Sequence, residues 1–276
     1  MATGDHPTHP LTALETGTTG LDLPPGGIVR GTRSGAADQP LLWISDAEPP
    51  AALWGTLRAR HTRTGLWPLL LEGLSDRDPD RPWRSGELDP DPATDPAAHD
   101  VDTVLAQWWR GVLPVEGEGA QGRAVVAPFG DTWPGLAAPG SPREDPDECA
   151  TEFARFLVLD SWLTAPRIGL VPSTRGADTL ADLGWMGPAN YEGDMSTFSA
   201  VLRSWEERFG ARVVAVGFAT LYLSVAAPPT DRDHALRVAA EHFAFCPDNV
   251  WQSGTPTLAT YADSLVDRAF WSFWWD

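Results

Sequence analysis

The last seven residues of the chain, FWSFWWD at 270–276, constrain its fold more than any other stretch. They carry five large aromatic side chains. Even half-buried, these contribute on the order of several kcal/mol together. That is comparable with the net stability of a whole domain, so the run is predicted to be a structural strand and not a tail. Strand alternation sets Trp271 and Trp275 opposite Trp274. Either helices cover both faces of the sheet, which is the expected arrangement, or a large aromatic stays exposed as a protein-docking patch.

With 276 residues and fourteen tryptophans, the chain can bury a sizeable core. Residues 40–45 and 66–71 read as strands around a helical stretch that holds Leu53, Trp54, Leu57 and His61 on one face, with Gly65 as its stop. Pro68 predicts an edge position for the second strand. Residues 73–104 carry nine acids, three arginines and five prolines, the composition of a solvated loop. Asp102 is read as the cap of a helix holding Val104, Leu105, Trp108 and Trp109. A low-order stretch is expected at 139–148, and strands at 155–159 and 167–171. From Asp194, the residues Phe198, Val201, Leu202, Trp205 and Phe209 recur at helical spacing up to Gly210. The apolar run at 212–227 is rich in β-branched residues and predicts two strands turning near 218–220. A helix carrying Leu236, Ala239, Ala240 and Phe243 halts at Pro247, and another follows Pro256.

These elements define an α+β fold with a mixed or mainly antiparallel sheet and packed helices. The division expected is a loop-rich segment at 1–39, an amino-terminal αβ unit at 40–138 containing the acidic loop, and a C-terminal αββα-type domain at 150–276.

Acidic residues number 38 against 20 basic, a formal charge of −18, and every basic residue is an arginine. That field repels phosphate backbones and anionic lipid, so neither nucleic acid nor membrane is an expected partner. Without lysine there is no Walker A loop and no pyridoxal-phosphate Schiff base. Two cysteines make no disulfide framework, and the first ten residues lack the basic and apolar runs of a secretory leader. A cytoplasmic location is the expectation.

The segments RIGLVPSTRGADTLADLGW at 167–185, SAVLRSWEERFGARVVAVGF at 199–218, AAEHFAFCPDNVWQ at 239–252 and FWWD at 273–276 resemble the bacterial family called domain of unknown function 4253. TGLWPLLL at 64–71 and APFGDTWPGLAAP at 127–139 are similar to the amino-terminal extension of its actinobacterial members. The lysine-free composition, rich in Ala, Pro and Arg, fits that origin. The resemblance implies no catalytic residue, because the family has no assigned activity.

The strongest chemical cluster is Glu241, His242, Cys246, Asp248 and Gln252. His242 and Cys246 lie an i, i+4 step apart, so an imidazole could activate the thiol while Asp248 or Glu241 orients it. Against this stands a helix that ends at Pro247 with Cys246 buried, and the burial preference of cysteine favours that reading. A zinc site from Glu241, His242, Cys246 and His234 fails because Glu241 and His242 point about 100° apart on a helix. Gly117, Gly119 and Gly122 match a dinucleotide fingerprint by chance, since a strand-like run follows them and Glu116 and Glu118 repel phosphate. Ser34 misses the spacing of a nucleophile elbow. The Glu206/Glu207 and Asp145/Asp147/Glu148 pairs read as solvated faces.

No cofactor and no metal is expected. The favoured function is a non-enzymatic, immunity- or adaptor-like protein-binding module whose partner is a basic protein. The alternative is a thiol-dependent enzyme for acyl transfer or hydrolysis that uses Cys246, His242 and Asp248.

Overall fold

The computed structural model describes residues 9–32, 37–90, 94–113 and 124–276. Seven strands form one sheet: β1 (Gly26–Arg30), β2 (Pro40–Ser45), β3 (Leu66–Leu71), β4 (Arg167–Pro172), β5 (Ala211–Val216), β6 (Thr220–Val225) and β7 (Phe270–Trp274). Their spatial order is β1-β2-β4-β3-β5-β6-β7. Every neighbouring pair is antiparallel except β3 and β5, which run parallel. The helices are α1 (Pro10–Glu15), α2 (Leu53–Arg58), α3 (His61–Thr64), α4 (Val101–Val112), α5 (Pro146–Leu159), α6 (Thr179–Leu183), α7 (Met195–Phe209), α8 (Arg232–Phe245), α9 (Asp248–Trp251) and α10 (Leu258–Leu265). The fold is α+β with a mixed, mostly antiparallel sheet. None of the described helices is long and apolar enough to cross a membrane.

Because β4 lies between β2 and β3, the two halves of the chain share one sheet. Alternate residues of the strands feed two cores. Trp67, Leu69, Leu71, Val213, Leu221, Leu223, Trp271 and Phe273 face a large cluster under α4, α7, α8 and α10. Leu66, Leu70, Ile168, Leu170, Val214 and Tyr222 face a smaller one under α2 and α5. The α7 periodicity is realised as read, with Asp194 accepting from Ser196 N–H at its start and Gly210 in the left-handed conformation at its end.

Four local expectations are corrected. Residues 155–159 are not a strand but the end of α5, and the helix begins inside the stretch expected to lack order. Asp145 accepts from the N–H groups of Asp147 and Glu148, and Pro146 occupies the first turn, so the start signal outweighs the apolar run that follows. Residues 73–90 are not simply solvated, because Trp83 and Leu88 are buried in the large core. The Trp83 indole donates to Glu72 O at 2.8 Å and Asp89 N–H to Gly184 O at 2.8 Å, which straps the segment down. Asp100, not Asp102, caps α4, and Asp102 instead accepts from the Trp133 indole. Pro68, finally, does not sit in an edge strand. The β3–β5 ladder starts only at Leu70, two residues beyond the proline, and the Trp67 indole donates to Val213 O before it. A missing N–H therefore costs no ladder bond to β5.

Candidate functional site

The helix α8 is buried almost throughout, which decides the surroundings of the sequence-predicted cluster. His242 is fully buried and ringed by Trp271, Phe273 and Trp205, with centroids at 4.4, 4.9 and 5.1 Å. Asn249 Nδ2 donates to the Tyr261 hydroxyl at 3.1 Å, and that hydroxyl shares a hydrogen bond of 3.0 Å with His242 Nδ1. The other ring nitrogen, Nε2, sits inside the aromatic cage with no hydrogen-bond partner among the described residues. Burial first, and the Arg208 charge second, hold the imidazole well below its usual pKa.

Cys246 is also buried, and burial raises its thiol pKa above the ordinary cysteine range. The i, i+4 relation is realised in the backbone, where Cys246 N–H donates to His242 O at 2.7 Å. The side chains go to different partners: the Cys246 thiol donates to Trp274 O at 3.0 Å. Asp248 accepts from the Tyr191 hydroxyl at 2.8 Å, from Asp276 N–H at 3.1 Å and from Gln252 Nε2 at 3.0 Å. Glu241 turns the other way and forms a buried pair with Arg208 at 2.6 Å, while also accepting from the Trp205 indole and Ala137 N–H.

Together these groups clamp β7. Asn249 Oδ1 accepts from Trp274 N–H at 3.3 Å, and its Nδ2 donates to Ser272 O at 2.7 Å. One side-chain amide thus takes the place of a neighbouring strand at the sheet edge. The segment read as a candidate thiol site holds the aromatic C-terminus in the fold. Gly117, Gly119, Gly122, Glu116, Glu118 and Ser34 lie outside the described residues.

The exposed residues form a different constellation. Of the eight large apolar side chains that stay exposed among the described residues, five lie on the face of α5 and the β6–β7 end of the sheet: Leu74, Phe156, Leu159, Trp162 and Trp274, at 37–62% exposure. Phe156 and Trp162 are 5.6 Å apart, Trp162 and Phe270 6.3 Å, and Phe270 stacks on Phe153 at 5.1 Å. Alternation along β7 explains the split. Trp271, Phe273 and Trp275 are buried, while Phe270 and Trp274 emerge on the side that α5 covers only in part. The expectation that helices cover both faces of the sheet is corrected here, because Trp274 stays 42% exposed. The sequence hid Phe156 and Leu159, because those residues were read in a strand.

A wider open cleft of about 880 Å³ lies beyond the end of β4. Part of its polar lining is engaged: Asp178 holds Arg203 in a two-point pair at 2.7 and 2.8 Å, and Thr94 bonds to Asp194 and Ser196, while burial pushes the Asp182 carboxyl on the same lining up to about 6.

Residues 167–276, less than half of the chain, match the family described as Domain of unknown function (DUF4253). The matched region contains β4 to β7, the clamp and the C-terminal strand. No curated protein and no solved structure matches the chain.

Proposed function

We propose that this chain is a non-enzymatic, immunity- or adaptor-like module of the cytoplasm that binds a basic protein through the face bearing Phe156, Leu159, Trp162 and Trp274. The gathering of exposed aromatic and aliphatic side chains on one face carries this reading. Large clustered apolar patches with Trp and Phe at their centre are the usual anchors of protein interfaces. Charge supplies the partner's chemistry. A chain of net charge −18 attracts a cationic protein from a distance, and Asp76, Asp78 and Asp160 are exposed beside the patch residues in sequence.

The thiol-enzyme alternative needs Cys246 and His242 to share a substrate. Both are enclosed, and each bonds to the β7 clamp, so the docking face is the better-supported site.

The test compares immobilised wild type with a Leu159→Ser/Trp162→Ser variant in extract of the source cells, with retained proteins identified by mass. The expected result is a protein of basic net charge that is held by wild type, released by high salt and lost from the variant. The purified pair should then bind directly. Equal retention by the variant, or no retained protein, overturns the reading.

A further inference from the structure

Between the β6–β7 end of the sheet and the start of the 73–90 strap lies a hollow of about 200 Å³. It is too small for a cofactor and of the order of one side chain. Leu74, Phe218 and Trp274 line its apolar sides, and Glu72, Thr164 and Thr220 supply its polar groups. Among the described residues that line it, Glu72 alone is charged.

The carboxylate of Glu72 is half-buried and all its bonds come from neutral donors. Oε1 accepts from Thr164 N–H at 3.1 Å, while Oε2 accepts from the Thr220 hydroxyl at 2.9 Å and the Tyr222 hydroxyl at 3.3 Å. A carboxylate offers about four acceptor positions, so one remains on Oε1. Among the described residues no arginine or histidine forms an ion pair with it. The nearby Arg81 is held by Glu87 at 2.7 Å and rests over the Phe218 ring at 4.9 Å. This wall already hosts one guanidinium from within the chain.

A half-buried carboxylate with a vacant acceptor position, beside an accessible indole, is the chemistry that receives a cation. We infer that the Glu72 hollow is a specificity pocket for a basic side chain, arginine or lysine, of the protein partner. The inference rests on the docking reading and deepens it, since Trp274 belongs both to the hollow and to the exposed face. The cation would meet the indole on one side and Glu72 at the floor, and the apolar patch around Trp162 would take the rest of the contact.

The test uses the full chain, labelled with ¹⁵N and titrated with N-acetyl-arginine amide, N-acetyl-lysine amide and the neutral N-acetyl-citrulline amide. One or both cations should give saturating shifts of the Trp274 indole N–H and the Thr164 and Thr220 amides, with citrulline giving none. The shifts should weaken at least ten-fold in Glu72→Gln and in Trp274→Ala. Should Glu72→Gln fail to fold, Trp274→Ala decides, because its side chain is exposed. Equal shifts with citrulline, shifts that survive both variants, or no concentration-dependent shift up to the probe's solubility limit overturn the inference. Loss of the probe's binding with partner capture intact removes the pocket and leaves the docking face standing. Probe binding without any retained partner removes the docking reading and leaves a cation site.

Discussion

At the scale of single residues, His242 shows how burial converts an apparent catalytic base into a neutral packing group. Its folded pKa lies well below 6.5 while the unfolded chain has the ordinary value. Below about pH 6.5 the unfolded state therefore binds a proton that the folded state refuses, and stability falls as pH falls. Each such group contributes a slope of about 1.4 kcal/mol per pH unit until the folded pKa is reached. His61, also lowered by burial, adds to the wild-type slope. A His242→Leu variant should have the flatter profile by one proton, read from urea unfolding at a series of pH values; an unchanged slope would show that the imidazole is not the neutral, enclosed group described. The same enclosure governs the thiol. Cys246 should resist a thiol-reactive dye in the native protein and label only on unfolding, whereas Cys149, partly exposed on α5, should label natively. Its rate will be slow for an accessible thiol, because burial and then Glu144 raise its pKa. Fast native labelling of Cys246 would revive the enzyme alternative. The buried Glu241–Arg208 pair makes a third case. Glu241→Gln leaves the Arg208 charge without its partner, and breaking a buried pair in this way costs about 3–5 kcal/mol. A drop smaller than about 1 kcal/mol in a denaturant titration would mean that the site is wet.

Among the described elements, β7 has its outer edge closed by a side chain, that of Asn249. Replacing Asn249 by Ala removes the acceptor for Trp274 N–H and the donor to Ser272 O. The expected cost is about 1–3 kcal/mol, together with a new tendency to dimerise through the opened edge. Light scattering and melting of the variant check both, and a monomer with unchanged melting would show that the amide closes nothing. Deleting 270–276 should go further and leave an aggregating or molten protein, because Trp271, Phe273 and Trp275 pack against Trp205, His242 and Phe245. How much of this was legible in the sequence depends on range. The helix from Asp194, the paired strands at 212–227 and the opposed faces of 270–276 are local periodicities with local stop signals, and they stand as read. The insertion of β4 between β2 and β3 is a long-range pairing that no local pattern specifies. Spacing placed His242 and Cys246 one helical turn apart, but Tyr261 and Trp271, which enclose the histidine, arrive from distant strands and helices. Trp83 and Leu88 were similarly concealed among the acids and prolines of their segment, where composition outvoted two buried anchors. For α5, the cap at Asp145 was present in the sequence, yet it competed with a β-like apolar run at its far end.

For the whole molecule, the charge of −18 acts through its distribution. The 73–104 segment holds nine of the acids, but the structure divides them by role. Asp100 caps α4, Glu87 holds Arg81 and Asp80 lies 3.5 Å from Arg84, so these act within the fold. Asp76 and Asp78 are exposed, and they follow Leu74 of the docking face. Neutralising all nine acids would therefore weaken folding as well as steering, whereas Asp76→Asn/Asp78→Asn/Asp160→Asn isolates the electrostatic part. With the basic partner in hand, this triple variant should associate several-fold more slowly at low salt and dissociate at nearly the wild-type rate, since rim charges act on encounter. Raising the ionic strength should erase the difference as the screening length shrinks. The Leu159→Ser/Trp162→Ser variant should behave in the opposite sense, with a faster dissociation and little change in association, because those side chains contribute only once water has left the interface. Stopped-flow kinetics of the two variants at two salt concentrations separate the contributions. A slower association in the serine variant with no change in dissociation would place the contact elsewhere on the molecule.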